Sequence, residues 1–277
     1  MELYNKVCFD ISRSITKNYS TSFTIGIKTL HASIRNPIYA IYGFVRLADE
    51  IVDTFHDYDK KALLENFKNE TELALKNKIS SNPVLHAFQF TVHHYDIDKS
   101  LIDAFLKSME MDLYFSTHNY KTYENYIYGS AEVVGLMCLH VFCNGNKAQY
   151  ESLKEPARRL GSAFQKVNFL RDMQSDFSDR GRVYFPGVDF TTFNDAVKKK
   201  IEQEIKAEFN EALKGIVALP ASSRRGVYAA YIYYRQLLCK IEKASAIQIQ
   251  QSRIRVPDFE KLFLLMKSFY ISPQAAY

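Results

Sequence analysis

The chain has 277 residues, of which 47% are apolar and 24% charged, values that exclude a largely disordered protein and suffice for a sizeable core. A formal charge of +5 without a dense Lys/Arg tract is small for a nucleic-acid binder and fits a phosphorylated small substrate or an anionic membrane surface instead. Four cysteines, Cys8, Cys138, Cys143 and Cys239, are too few and too scattered for a disulfide framework and point to a reducing cytoplasm.

The N-terminus, MELYNKVCFDISRS, has no apolar signal core, and no stretch reaches the roughly 18 apolar residues of a spanning helix, so the expectation is a soluble protein with at most peripheral membrane contact. Apolar spacing is helical almost throughout, with no run of alternating strands, which predicts an all-α fold. Asn36-Pro37 reads as the opening of a helix that carries Tyr39, Ile41, Tyr42, Val45 and Ala48. Ser81-Asn82-Pro83, Glu155-Pro156, Leu219-Pro220 and Val256-Pro257 read as further starts or breaks. Cys138, His140 and Cys143 lie in the apolar run Val133 to Phe142 without a fourth ligand nearby, which argues against zinc. The irregular stretch is Ser178 to Thr192, interrupted by Gly181, Pro186 and Gly187, and Lys198 to Lys200 reads as a solvated helix face. No linker-like composition shift divides the chain, so residues 1–277 are read as one domain.

Two further features suggest a ligand. The chain has 20 Phe and 19 Tyr but no Trp, which suits a broad apolar pocket wall with hydroxyl-bearing edges as well as an ordinary core. Gly43, Gly129, Gly135 and Gly161 fall within helical patterns, each at about 1 kcal/mol relative to Ala. Close helix packing or room for a long ligand accounts for them equally well.

Residues four apart on a helix project from one face, one turn apart, and two carboxylates so placed repel unless a cation lies between them. Mg²⁺ combines one or two carboxylates with phosphate oxygens and water, so Asp49/Asp53 and Asp172/Asp176 are candidate metal pairs. Spacing alone is weak evidence, because Asp53/Asp57 is a third instance. Context strengthens the first two. Arg46, Asp49 and Asp53 share one face, and Gln165, Asn168, Asp172 and Asp176 form one stripe. Ile51, Val52, Val167, Phe169 and Leu170 lie between these polar groups, a pattern expected of a cavity wall. The pairs, 123 residues apart, are placed to face each other across a bundle.

These residues resemble the squalene/phytoene synthase family over most of the chain, from Ser20 to about Leu265. The resemblance is carried by Ser22-Phe23, by YAIYGFVRLADEIVD at Tyr39 to Asp53, by YIYGSAEVVG at Tyr126 to Gly135, and by GSAFQKVNFLRDMQSDFSDRGRVYFP at Gly161 to Pro186. RIRVPDFEKL at Arg253 to Leu262 matches less specifically. The resemblance implies a single-domain helical bundle of the isoprenoid synthase type with a central cavity. It implies that Asp49 and Asp53 bind Mg²⁺, with Mn²⁺ as the alternative ion, at one diphosphate, and that Asn168, Asp172 and Asp176 form the opposing metal site. Tyr42, Arg46, Gln165 and Arg171 would contact diphosphate or order the metal shell, with Ser20, Thr21 and Ser22 as the N-terminal diphosphate contact. Some members carry Lys where this chain has Thr21, so that charge contact is either absent here or supplied by Lys28 or Arg182. Tyr184, with Arg182 and Arg180 beside it, falls in a loop placed to close over a charged ligand, and Tyr184 is the one expected to function.

The implied activity is head-to-head condensation of two prenyl diphosphates through a cyclopropyl diphosphate, foremost two geranylgeranyl diphosphates to phytoene in carotenoid biosynthesis. Squalene or dehydrosqualene synthase, using two farnesyl diphosphates, is the enzyme alternative, and only squalene formation requires NADPH. The compact chain without an evident C-terminal anchor leads the resemblance towards a bacterial-type enzyme, cytoplasmic with peripheral contact at the inner face of the membrane. The reading from another class is a non-catalytic helical scaffold. Oligomeric state is open.

Overall fold

A computed structural model describes residues 1–114, 117–257, 259–261, 263, 264 and 266, with the backbone alone at residue 180. The elements run α1 (Glu2–Tyr19), α2 (Thr21–Lys28), α3 (Ala32–Asp53), α4 (Lys60–Asn77), α5 (Pro83–Tyr95), α6 (Lys99–Met111), α7 (Tyr120–Ile127), a π turn (Tyr128–Glu132), α8 (Val133–Cys143), α9 (Lys147–Arg180), α10 (Asp195–Ala218), α11 (Ala221–Lys243) and α12 (Ala246–Gln251). Among the described residues the β structure is a single bridge between Thr117 and Val183.

Polar caps set many of these boundaries. Asn82 accepts from the amides of Val84 and Leu85 and Pro83 takes the first helical position, where a missing N–H costs nothing, so the expected start at Ser81-Asn82-Pro83 holds. The other two early prolines behave differently. α3 begins five residues before Pro37, under a His31 cap, and α9 runs straight through Pro156. A proline inside a helix removes one backbone bond and crowds the preceding turn, but it leaves the helix intact where packing compensates. At Pro156 that packing is visible: a Cβ added to Gly215 of α10 would lie 2.3 Å from the Pro156 Cβ.

Two large apolar cores result. One gathers α3, α4, α5, α6 and α8 around Phe44, whose ring stacks on Phe88 at 3.8 Å and on Phe67 at 5.5 Å. The other joins α7, α9, α10, α11 and α12 around Ile205, Phe209 and Leu237. Each buried ring or branched aliphatic side chain contributes about 1.5–3 kcal/mol of hydrophobic stabilisation. α9 packs along α8 and α10, and α3 against α1 and α5, so the two motif-bearing helices stand on opposite cores and face the space between them.

The helical glycines serve close approach. A Cβ on Gly129 would sit 2.5 Å from the Ala104 carbonyl oxygen, and one on Gly161 2.8 Å from that of Ala131. Three other expectations need correction. The continuous helical stretch Tyr120–Cys143 is long and apolar enough to cross a membrane by length and composition, although 56% of its apolar window is buried inside the protein, as a core helix would be. Lys198 is not on a solvated face: it is buried and pairs with Glu202 one turn on, while Lys199 and Lys200 are exposed. Ser178 to Arg180 belong to α9, so the irregular stretch begins at Gly181.

The face of α9 turned from the cavity is fixed by charge. The buried Lys166 ammonium donates to Glu208 Oε1 at 2.8 Å and also pairs with Glu204, and Ser162 donates to the same Glu208 oxygen at 2.9 Å. Burial raises the Glu208 carboxyl above its ordinary value although Lys166 pulls it down. A raised carboxyl favours folding below its unfolded pKa, and that contribution is lost as pH rises through the folded value. Lys166→Met removes the opposing pull and strands the buried Glu208 carboxylate, so about 3 kcal/mol of stability is expected to be lost at pH 8. The deficit should shrink as the buffer is acidified towards pH 5. Urea midpoints measured across that range check this, and an equal loss at both ends would contradict it.

Candidate active site

The space between the two cores is a cavity of about 980 Å³. It is lined by the residues expected to bind metal or diphosphate, Ser20, Thr21 and Ser22 at the start of α2, Tyr42, Arg46, Asp49 and Asp53 on α3, and Gln165, Asn168, Arg171, Asp172 and Asp176 on α9, and by Tyr184 on the following loop. The stripes converge because each occupies one face of a helix whose other face is held in a core. The third spacing, Asp53/Asp57, does not: α3 ends at Asp53 and Asp57 is an exposed turn residue.

On the α3 wall, Arg46 lies over the Tyr19 ring at 4.5 Å and pairs with Glu50 one turn on. Its Nε is buried and makes no hydrogen bond, an arrangement that an anionic oxygen in the cavity would complete. The Tyr42 hydroxyl is pushed up to about 12, by burial first, so it is a neutral donor at physiological pH. Ser20 caps α2 by accepting from the Phe23 amide at 3.2 Å, and its hydroxyl also hydrogen-bonds to Tyr42, which joins the start of α2 to the α3 wall.

On the α9 wall, Asp172 is held by Arg171, Nε to Oδ1 at 3.0 Å, and by Arg253, Nε to Oδ1 at 2.7 Å. Burial opposes the charge on Arg171, but its bond to Asp172 outweighs this and the guanidinium is held protonated more firmly than usual. Asn168 accepts from the Tyr234 hydroxyl at 3.3 Å.

The walls are tied at Arg182. Gly181, at φ +63, ends α9 in a left-handed turn that a side chain would strain, and the Arg182 amide returns to the Asp176 carbonyl at 2.9 Å. The Arg182 guanidinium then reaches across to Asp53 Oδ1 at 2.9 Å, the Asp112 carbonyl at 2.9 Å, Asp112 Oδ1 at 3.4 Å and the Tyr184 hydroxyl at 3.3 Å. Both Asp112 oxygens accept from the Tyr126 hydroxyl at 3.0 Å. Burial foremost, with the Asp112 carboxylate next, raises both Tyr126 and Tyr184, so these phenols stay neutral. Tyr184 stacks on Phe169 at 4.0 Å.

Neither Lys28 nor Arg182 is placed to supply the charge missing at Thr21. Lys28 is exposed and does not line the cavity, and Arg182 is engaged with carboxylates. Arg253, Arg255 and Lys261 line it instead. Arg253 and Asp112 carried no spacing signal; their partners are remote in sequence. The Arg180 side chain lies outside the described residues. Deeper in, the wall is apolar, and Cys138 belongs to it, its thiol pushed up to about 12 by burial and so inert.

Among the described residues no three His, Cys, Asp or Glu side chains converge as a metal cluster. The donors that line the cavity are instead pairs of hard oxygens, Asp49 with Asp53 and Asp172 with Asp176, joined by the Asn168 amide. That set fits Mg²⁺ or Mn²⁺ held by one or two carboxylates and completed by substrate phosphate and water, rather than an all-protein cage.

Residues 16–260 match the family model described as squalene/phytoene synthase. The phytoene synthase of Arthrospira platensis is 29% identical over 93% of this chain and 91% of its own length. The chloroplastic phytoene synthase 1 of Solanum lycopersicum is 30% identical over 84% of this chain, which spans 61% of that protein. In fold, the chain is similar to a dehydrosqualene synthase crystallised with a ligand, at a TM-score of 0.84 and 22% identity over 99% of this chain and 98% of the other. The squalene synthase HpnC from Alicyclobacillus acidocaldarius follows at a TM-score of 0.75 and 19% identity, over 87% and 95%.

Proposed function

The chain belongs to the squalene/phytoene synthase family of prenyltransferases, and from that premise we propose that it condenses two geranylgeranyl diphosphates head to head to phytoene. The observation that carries this reading is the convergence of two acidic stripes, from opposite cores, on one cavity that is polar at the stripes and apolar beyond them. The twenty-carbon chain is favoured because the relatives that match most of this chain are phytoene synthases. The intact cavity and both acidic stripes disfavour a non-catalytic scaffold.

In the reaction, the allylic C–O bond of one substrate breaks and its diphosphate departs with the electron pair. The double bond of the second substrate attacks the resulting cation, and loss of a proton closes a cyclopropane. The second diphosphate then leaves, and the skeleton rearranges to the linear product, with a second proton lost for phytoene. Asp49, Asp53, Asn168, Asp172 and Asp176 would hold Mg²⁺, which would neutralise the charge on the departing oxygens. Arg46 on one wall, and Arg171 and Arg253 on the other, offer N–H donors to those oxygens. The largely apolar wall disfavours water beside the cation. Tyr126 and Tyr184 are neutral and poor bases, which favours the released diphosphate as proton acceptor. Substrate and product are lipids, so peripheral contact with a membrane belongs to this reading.

Purified protein incubated with Mg²⁺ and labelled geranylgeranyl or farnesyl diphosphate, with and without NADPH, tests it. A C40 product independent of NADPH is expected. A C30 product would replace phytoene by dehydrosqualene or, with NADPH, squalene, and no diphosphate release from either substrate would sink the enzyme reading.

A further inference from the structure

The apolar part of the cavity has an identifiable end. From Asp49 to Ile38 along α3 is eleven residues, roughly 16 Å of helix, and from Asp172 to Leu153 along α9 is nineteen, roughly 28 Å. At that remote end Leu30, Ile38, Leu139, Leu153 and Leu219 all line the cavity and belong to one buried cluster. Leu30 comes from the turn between α2 and α3, and Leu219 from the turn between α10 and α11.

The backbone around Leu30 is tied by hydrogen bonds. His31 donates its amide to the Ser222 carbonyl at 2.8 Å, Arg35 Nε donates to the Leu30 carbonyl at 2.8 Å, and Arg224 Nε donates to the Leu219 carbonyl at 2.9 Å. The first bond ties the two turns together and the other two brace each turn to the helix that follows it, so the Leu30 side chain is the part that yields most readily. It lies in the room left by Gly226 of α11. A Cβ there would meet Leu30 Cδ2 at 2.4 Å and Cγ at 2.8 Å, with the Gly26 carbonyl oxygen at 3.1 Å on the other side. Those separations are far inside van der Waals contact, so any side chain at 226 must expel the Leu30 isobutyl group. Leu30 is 4% exposed, and the space beside it is the cavity.

We propose that Gly226 sets the depth of the prenyl pocket, by letting Leu30 lie back against the α11 backbone, and so determines the longest chain accepted. The assignment rests on the prenyl diphosphate reading of the site. It makes chain length depend on a position that need not touch substrate, acting through Leu30, and predicts that Leu30 and Gly226 behave as one unit.

The test measures binding, in Mg²⁺, of unreactive thiolodiphosphate analogues of the farnesyl and geranylgeranyl chains, which report on the pocket whether or not either chain is turned over. Gly226→Ala is expected to weaken the C20 analogue about tenfold or more relative to the C15 one. Leu30→Ala added to it should return the ratio to within about threefold of the original, because the displaced group is gone. Circular dichroism and the Tm confirm that each variant is folded. An unchanged ratio in Gly226→Ala, equal weakening of both analogues, or no recovery in the folded double variant overturns the assignment while the proposed function stands. Binding of neither analogue by the unmodified chain overturns both.

Discussion

Asp49→Asn and Asp172→Asn should each lower diphosphate release by about a thousandfold, roughly 4 kcal/mol of transition-state stabilisation, while far-UV circular dichroism stays unchanged. The expectation follows from position. Both carboxylates line the cavity on the inner faces of α3 and α9, and the amide oxygen introduced by Asp172→Asn still accepts from Arg171 and Arg253, so the helices remain although some stability is lost with the charge. What is lost is the negative charge that holds a divalent cation against a leaving diphosphate, which an isosteric amide does not replace. Asp57→Asn supplies an internal control. It alters the same spacing motif, yet Asp57 lies outside the cavity and is exposed, so its turnover should match that of the unmodified protein. Near-normal turnover in Asp49→Asn or Asp172→Asn contradicts the role given to that residue. A collapse in Asp57→Asn would show that the cavity does not discriminate the three pairs.

What the sequence made legible was whatever repeats along a helix. The polar stripes on α3 and α9 follow the 3.6-residue period, so their shared faces were readable before any geometry, and with them the all-helical class. Boundaries at proline were not. Pro83 opens α5, but Pro37 and Pro156 lie inside helices, because the lost backbone bond is offset by packing on another element, Gly215 in the case of Pro156. Long-range pairings left no trace either. Arg182 meets Asp112 across 70 residues and Asp53 across 129, distances at which spacing carries no information. Lys198 misled for a related reason: a triple lysine reads as solvated, and only the fold shows one of the three turned inward to Glu202. Apolar runs are ambiguous in the same way, since the stretch ending in α8 passes for a spanning helix by composition while packing against α6 and α9.

Arg182 gives the sharpest separation of stability from function. Arg182→Ala should cost about 3–5 kcal/mol of folding stability, because it leaves the buried Asp112 carboxylate without its guanidinium and takes a hydrogen-bond partner from Tyr184. Burial opposes the charge on Arg182, and Asp112, Tyr184 and Asp53 outweigh it, so the guanidinium is the hub that makes this acidic corner tolerable. It also anchors Asp53, and loss of such an outer partner of a metal-binding carboxylate costs about 10–100-fold in activity. The double variant Arg182→Met with Asp112→Asn divides the two roles. Removing both charges takes away the buried ion together with its counter-charge, and the side-chain amide oxygen introduced by Asp112→Asn still accepts from the Tyr126 hydroxyl, so most of the stability should return, as read from urea unfolding. Turnover should not return, since the bond from Arg182 that orients Asp53 is still missing. Recovery of turnover along with stability would mean that Arg182 serves only to neutralise Asp112, and that Asp53 needs no support from the loop that follows α9.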